Sequence, residues 1–119
     1  MKLSTDFDET FFIIRASDTK TIGIVKVSDL VNIIQSNSAE ISKRSLIIDF
    51  SKIEHIDSSV IGWLFQLNKN SLSSKNYRIR LVTSQTLKKN LKIVKAEVYL
   101  VIIDSIEEAK TSINNDSQK

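Results

Sequence analysis

Short apolar runs alternate along this chain with stretches in which apolar residues recur every three or four positions, and that alternation predicts its elements. Phe11-Phe12-Ile13-Ile14 and Ile22-Gly23-Ile24-Val25-Lys26-Val27 are rich in β-branched and aromatic residues and flank Ser17-Asp18-Thr19-Lys20, the pattern of a hairpin with a short loop. From Asp29 the period changes. Leu30, Ile33, Ile34 and Ile41 share one helix face, with Ser28 or Asp29 as cap and the polar Ser36-Asn37-Ser38 as an interruption. Leu46-Ile47-Ile48-Asp49-Phe50 is nearly continuous and apolar, as a strand covered on both faces would be. Ile53-Glu54-His55-Ile56 then gives way, through Asp57-Ser58-Ser59, to a strongly apolar helix that ends near Ser71 to Asn76. Tyr77 to Val82 alternates as a half-exposed strand. Leu87, Leu91 and Val94 mark a further helix, Val98 to Ile103 a last buried strand, and Ile106 to Ile113 a closing helix capped by Asp104 or Ser105.

Strands separated by helices require crossover connections, so the expected fold is α/β: a mixed, mostly parallel sheet with an N-terminal antiparallel hairpin strand and flanking helices, in the order β-β-α-β-α-β-α-β-α. A length of 119 residues fits one domain, expected over residues 1–113, with the polar 114–119 fraying as a tail. Only two glycines and no proline punctuate the chain, and it shows neither a repeat nor a linker.

Composition narrows the chemistry. With no cysteine and one histidine there is no disulfide framework, no thiol nucleophile and no recognisable metal-ligand set. Glycine-rich phosphate loops and dinucleotide fingerprints are absent, so no cofactor is expected. No apolar run approaches the roughly 20 residues that cross a bilayer, and the opening Met1 to Asp6 has no apolar signal core, so a cytoplasmic protein without membrane insertion is expected. The net charge of +3 is a small excess of 17 basic over 14 acidic residues. Its densest cluster, Lys88, Lys89, Lys92 and Lys95, interleaves with Leu87, Leu91 and Val94 at helical spacing and reads as a solvated face above a core stripe; no aromatic residue lies among those lysines to stack a base, so nucleic acid is not the expected partner.

The most informative residues are those that open the third helix. The first turn of a helix leaves amide groups without internal partners and carries the positive end of the dipole, so it favours hydroxyls, carboxylates and phosphates. Asp57 is a favoured cap type and would present Ser58 and Ser59 in that turn. Beyond them Val60, Ile61, Trp63, Leu64, Phe65 and Leu67 sweep an apolar arc of roughly 200°, while Ser58, Ser59, Gly62, Gln66 and Lys69 mark the other side. That arc exceeds what one sheet needs. Trp63 and Phe65 stand at its margins, either as core periphery or as aromatic anchors for a protein partner beside a modifiable serine. His55, Asp57 and Ser58 supply the residue types of a hydrolase triad, but near neighbours on a strand-to-helix turn diverge, and no Gly-x-Ser-x-Gly elbow surrounds the serine. Asp49 at its strand end lacks the acidic pair and lysine of a receiver-like phosphoacceptor. The expectation is a binding protein and not an enzyme.

Leu46-Ile47-Ile48-Asp49-Phe50-Ser51 followed by Ile56-Asp57-Ser58-Ser59-Val60-Ile61-Gly62 resembles the STAS domain family, named for sulfate transporters and anti-sigma factor antagonists, and especially its small free-standing bacterial antagonists. Members typically carry an apolar strand ending in Asp-Leu-Ser and then Asp-Ser-Ser-Gly-Leu-Gly opening a helix; this chain keeps Asp57, Ser58, Ser59 and Gly62, with Val60 at the first glycine. The resemblance implies a partner-switching regulator that binds an anti-sigma factor, often itself a serine kinase, and is reset by a serine phosphatase. By motif position the phosphoacceptor is Ser58, with Ser59 less favoured, and Asp57, Ser58, Ser59, Val60, Gly62, Trp63 and Phe65 form the partner surface. A constitutive scaffold subunit without a phosphate cycle is the alternative.

Overall fold

The sequence folds, in a computed structural model, into a sheet with both faces covered; the structure describes residues 2–75 and 79–117, with residues 24, 25, 72–75, 116 and 117 as backbone alone. Strands β1 (Lys2–Phe7), β2 (Phe11–Ser17), β4 (Ser45–Phe50), β6 (Arg80–Thr83) and β7 (Val101–Ile103) form a five-stranded sheet in the order β1-β2-β4-β6-β7. β1 runs antiparallel to β2, and every other pairing is parallel. A separate parallel ladder joins β3 (Thr21–Ile22) to β5 (His55–Ile56). The helices are α1 (Ile24–Ser36), α2 (Ser38–Ile41), α3 (Ser58–Lys75), α4 (Gln85–Ile93) and α5 (Ile106–Ser117), with one 3-10 turn over Ala96–Val98.

The alternation of side chains along β2 explains its unbroken apolar run. Phe12, Ile14 and Ala16 face a large core completed by Leu46, Ile48 and Phe50 of β4 and by residues of α1, α3 and α4. Phe11 and Ile13 face the opposite side, where Ile47 and Val82 meet Ala109 and Ile113 of α5. A strand buried on both faces has no polar alternation to show.

An α/β fold with a mixed sheet and an N-terminal antiparallel hairpin agrees with expectation, but the hairpin is built from other residues. Its strands are β1 and β2, joined through Asp8, whose carboxylate accepts hydrogen bonds from the Phe11 and Thr10 amides, both at 2.8 Å. Those bonds, Phe11 first, hold the Asp8 carboxyl below its ordinary pKa. The expected second strand, Ile22 to Val27, ends at Ile22, and α1 begins at Ile24, one turn before Ser28 and Asp29. Ile22 is taken by the β5 ladder, which leaves Gly23 as the helix cap. The interruption at Ser36-Asn37-Ser38 falls where α1 ends at Ser36 and α2 begins at Ser38, with Asn37 as the cap between them.

Farther along, Tyr77 and the neighbouring Arg78 lie outside the described residues, and β6 is buried at every position, not half-exposed. Arg80 is 2% exposed because its guanidinium turns to α5, donating to the Ser112 hydroxyl at 2.9 Å. Val98 to Ile103 is not one strand. Lys95 takes a left-handed conformation (φ 59°), the 3-10 turn follows, and only Val101–Ile103 pair, so Val98 and Tyr99 emerge at 61% exposure each. The closing helix is capped by Ser105, whose hydroxyl accepts from the Glu108 amide at 3.2 Å, and it continues to Ser117 through Asn114 and Asn115.

Candidate functional site

The β3–β5 ladder determines the site. Thr21 pairs with His55 and Ile22 with Ile56, and each strand passes through one residue into a helix: Gly23 into α1, Asp57 into α3. The two helix N-termini therefore start side by side. The Asp57 amide donates to the Ile22 carbonyl at 3.2 Å, which ties the two turns together. A Cβ at Gly23 would come within 3.1 Å of the Asp57 carboxylate, so glycine there leaves that carboxylate its room.

Asp57 caps α3 as its residue type predicts. Its Oδ1 accepts from the Val60 amide at 3.1 Å, and its carbonyl accepts from the Val60 and Ile61 amides at 3.1 and 3.2 Å. The Ser59 hydroxyl donates to the same Oδ1. An Asp57→Ala variant is expected to lose about 1 kcal/mol of stability, the usual cost of a lost cap, measurable as a lower urea midpoint at unchanged slope.

The two serines thus differ in a way their sequence does not reveal. Ser59 is half-buried and its hydroxyl is engaged in the cap; Ser58 is exposed and its hydroxyl makes no hydrogen bond among the described residues. From Ser58 the open face of α3 runs through Gly62, Gln66 and Lys69, all exposed and spaced at helical intervals. At Gly62 an added Cβ would meet nothing within 4 Å. Packing within the chain does not require glycine there, and a helix interior disfavours it by about 0.5–1 kcal/mol relative to alanine. Gly62→Ala is therefore expected to raise stability by that amount in chemical denaturation while weakening any partner that lies close against the α3 backbone.

Val60, expected on the partner surface, is placed elsewhere. It is 0% exposed and packs with Leu30, Ile53 and Leu64 in the main core. One position past Ser59, the helix has turned its side chain inward, so a larger residue there fills space beneath the site without obstructing its surface. Trp63 and Phe65 are half-buried against the same core, and the Phe65 ring lies 5.1 Å from that of Tyr99. The wide apolar arc of α3 is accommodated because the helix has more than the sheet to pack on. α1 contacts one flank, and Tyr99 lies over Phe65 at another. The buried Asn68 fixes the latter arrangement, donating to the Tyr99 carbonyl at 2.8 Å and accepting from the Ile79 amide at 2.9 Å. Neither Asn68 nor Tyr99 was legible as a support for Phe65, since a lone asparagine in a helix and a tyrosine in an apolar run carry no signal.

His55 is exposed, with Nδ1 3.2 Å from the Asn90 side-chain nitrogen, and among the described residues no hydrogen bond joins it to Ser58 or Ser59. The geometry brings Asp57 and Ser59 together in the cap of α3. Asp49 sits away from this corner, on the α5 side of β4, where it accepts from the Ser51 amide at 2.9 Å and lies 3.6 Å from Arg15. Among the described residues no helix is long and apolar enough to cross a membrane, and no group of three or more His, Cys, Asp or Glu is placed to hold a metal ion.

The architecture is similar to that in "Crystal Structure of an Anti-sigma Factor Antagonist from Mycobacterium paratuberculosis": the TM-score is 0.73 over 95% of this chain and 93% of the other, at 15% sequence identity. At that identity the likeness is one of fold. No curated protein matches the sequence significantly. The model of the STAS domain matches residues 27–109, a span that contains α3 and all of its capping residues, and the chain therefore belongs to the STAS domain family.

Proposed function

We propose that this protein is a non-catalytic regulatory binding module of the anti-sigma factor antagonist type, whose partner contact is controlled by reversible phosphorylation of Ser58. The observation that carries the reading is the contrast between the two serines: an exposed Ser58 hydroxyl without a hydrogen bond among the described residues, beside a Ser59 hydroxyl committed to Asp57. A phosphate on Ser58 adds about 1.5 to 2 negative charges and three acceptor oxygens. The N-terminus of α3 tolerates that charge, since the dipole and first-turn amides favour it, so the domain stays folded. A partner seated on Ser58, Gly62 and Gln66 would have to desolvate the phosphate beside the Asp57 carboxylate, and it dissociates. The switch needs no change of shape.

The partner class that fits is an anti-sigma factor with serine kinase activity, opposed by a serine phosphatase. The test is phosphopeptide mapping by mass spectrometry after incubation with the cognate anti-sigma factor kinase and ATP. Phosphate on Ser58, lost in Ser58→Ala and retained in Ser59→Ala, is the expected outcome. A protein left unmodified at both serines would overturn the reading, and a complex that survives Ser58→Asp but is broken by Trp63→Ala would favour the constitutive scaffold.

A further inference from the structure

We propose a second docking surface, separate from the Ser58 corner, on which an extended acidic segment of a partner protein adds as a strand to the free edge of β7. By helical rise Asn68, which anchors Tyr99, lies about 15 Å along α3 from Ser58. Three observations converge there. First, β7 ends the sheet: it pairs with β6 on one side and with no described strand on the other. Such an edge offers a row of backbone donors and acceptors to another chain. Second, the edge borders a groove of about 360 Å³ lined by Lys88, Lys92, Glu97, Leu100, Val101 and Ile102. Third, the chain neighbours of that groove are the four most exposed of the large apolar side chains on the described surface: Ile93 at 79%, Val98 and Tyr99 at 61% and Val94 at 57%.

Charge selects the occupant. Lys88 is paired with Asp104 at 3.0 Å, while Lys89, Lys92 and Lys95 make no ion pair among the described residues and share the segment with a single acid, Glu97. An extended segment alternating acidic and aliphatic residues meets both features, since one set of side chains faces the lysines and the other the apolar rim. A second copy of this chain would bring lysine rows against each other. A lipid surface would leave the β7 backbone groups in hydrocarbon without partners.

The experiment uses the full chain and, as probe, a fluorescent eight-residue peptide alternating glutamate with valine and isoleucine, followed by anisotropy and amide NMR. The expected result is saturable binding that perturbs the amides of Val101–Ile103, falls at least about tenfold in the double variant Lys92→Glu, Lys95→Glu, and falls similarly in Val98→Asp. Ser58→Asp leaves this binding unchanged, so the outcome is independent of the phosphorylation reading. Equal binding of a lysine-for-glutamate peptide overturns the proposal. So does an absence of peptide binding, whether accompanied by binding to phosphatidylserine vesicles, by binding to duplex DNA, or by concentration-dependent dimers that Ile93→Lys abolishes.

Discussion

A Ser58→Asp variant is expected to bind the partner about a hundredfold more weakly than the unmodified protein while unfolding at nearly the same denaturant concentration. The two halves of that expectation have one cause, the position of Ser58 at the first residue of α3 with its side chain in solvent. In the free protein the new carboxylate lies at the positive end of the helix dipole and displaces no hydrogen bond found among the described residues, so stability changes by no more than about 0.5 kcal/mol. In the complex the same charge must be desolvated against a surface shaped for a hydroxyl, beside Asp57, at a cost of about 3 kcal/mol, or two decades of affinity. Titration calorimetry paired with urea unfolding reads both quantities. Ser59→Asp is expected to act differently, because it removes the hydroxyl that bonds Asp57 and places a second carboxylate against the first, so its loss appears in stability.

The opposite separation is expected at Val60. Replacing it with glycine, the residue usual in the motif, should lower stability by about 3 kcal/mol, combining a cavity in the core with the poor helix propensity of glycine. Val60 is 0% exposed and contributes to the core that α3 shares with α1, so its side chain is unavailable to a partner. Val60→Gly protein that remains folded at low temperature is expected to keep its partner affinity within about threefold, since the surface above is unchanged. Valine in place of glycine thus alters what supports the site and leaves its face intact. Thermal unfolding read beside binding distinguishes this from a surface role, in which affinity would change and stability would not.

What the sequence made legible was local. The apolar run of β4 and the Asp57 cap are determined by residues within a few positions of one another, and both appear where the pattern places them. Elements decided by distant partners were not legible. Ile22 to Val27 is an apolar run that suits a strand or a helix start equally, and only the pairing of Ile22 with Ile56 divides it. β1 is an edge strand exposed at nearly every position, so it carries no apolar alternation to detect. The exposure of Val98 and Tyr99 follows from the left-handed turn at Lys95, a conformation that a lysine does not announce. At the site, the family resemblance located the serines and favoured Ser58, while the physical difference between them is one hydrogen bond that geometry alone assigns to Ser59.

The central claim is that the charge state of Ser58 controls partner binding. It is tested most directly by titrating one anti-sigma factor partner with a single preparation of this protein in three states: unmodified, phosphorylated on Ser58 by the cognate kinase, and dephosphorylated again. The account predicts tight binding, a loss of at least about a hundredfold, and full recovery. Equal affinity in all three states would contradict it.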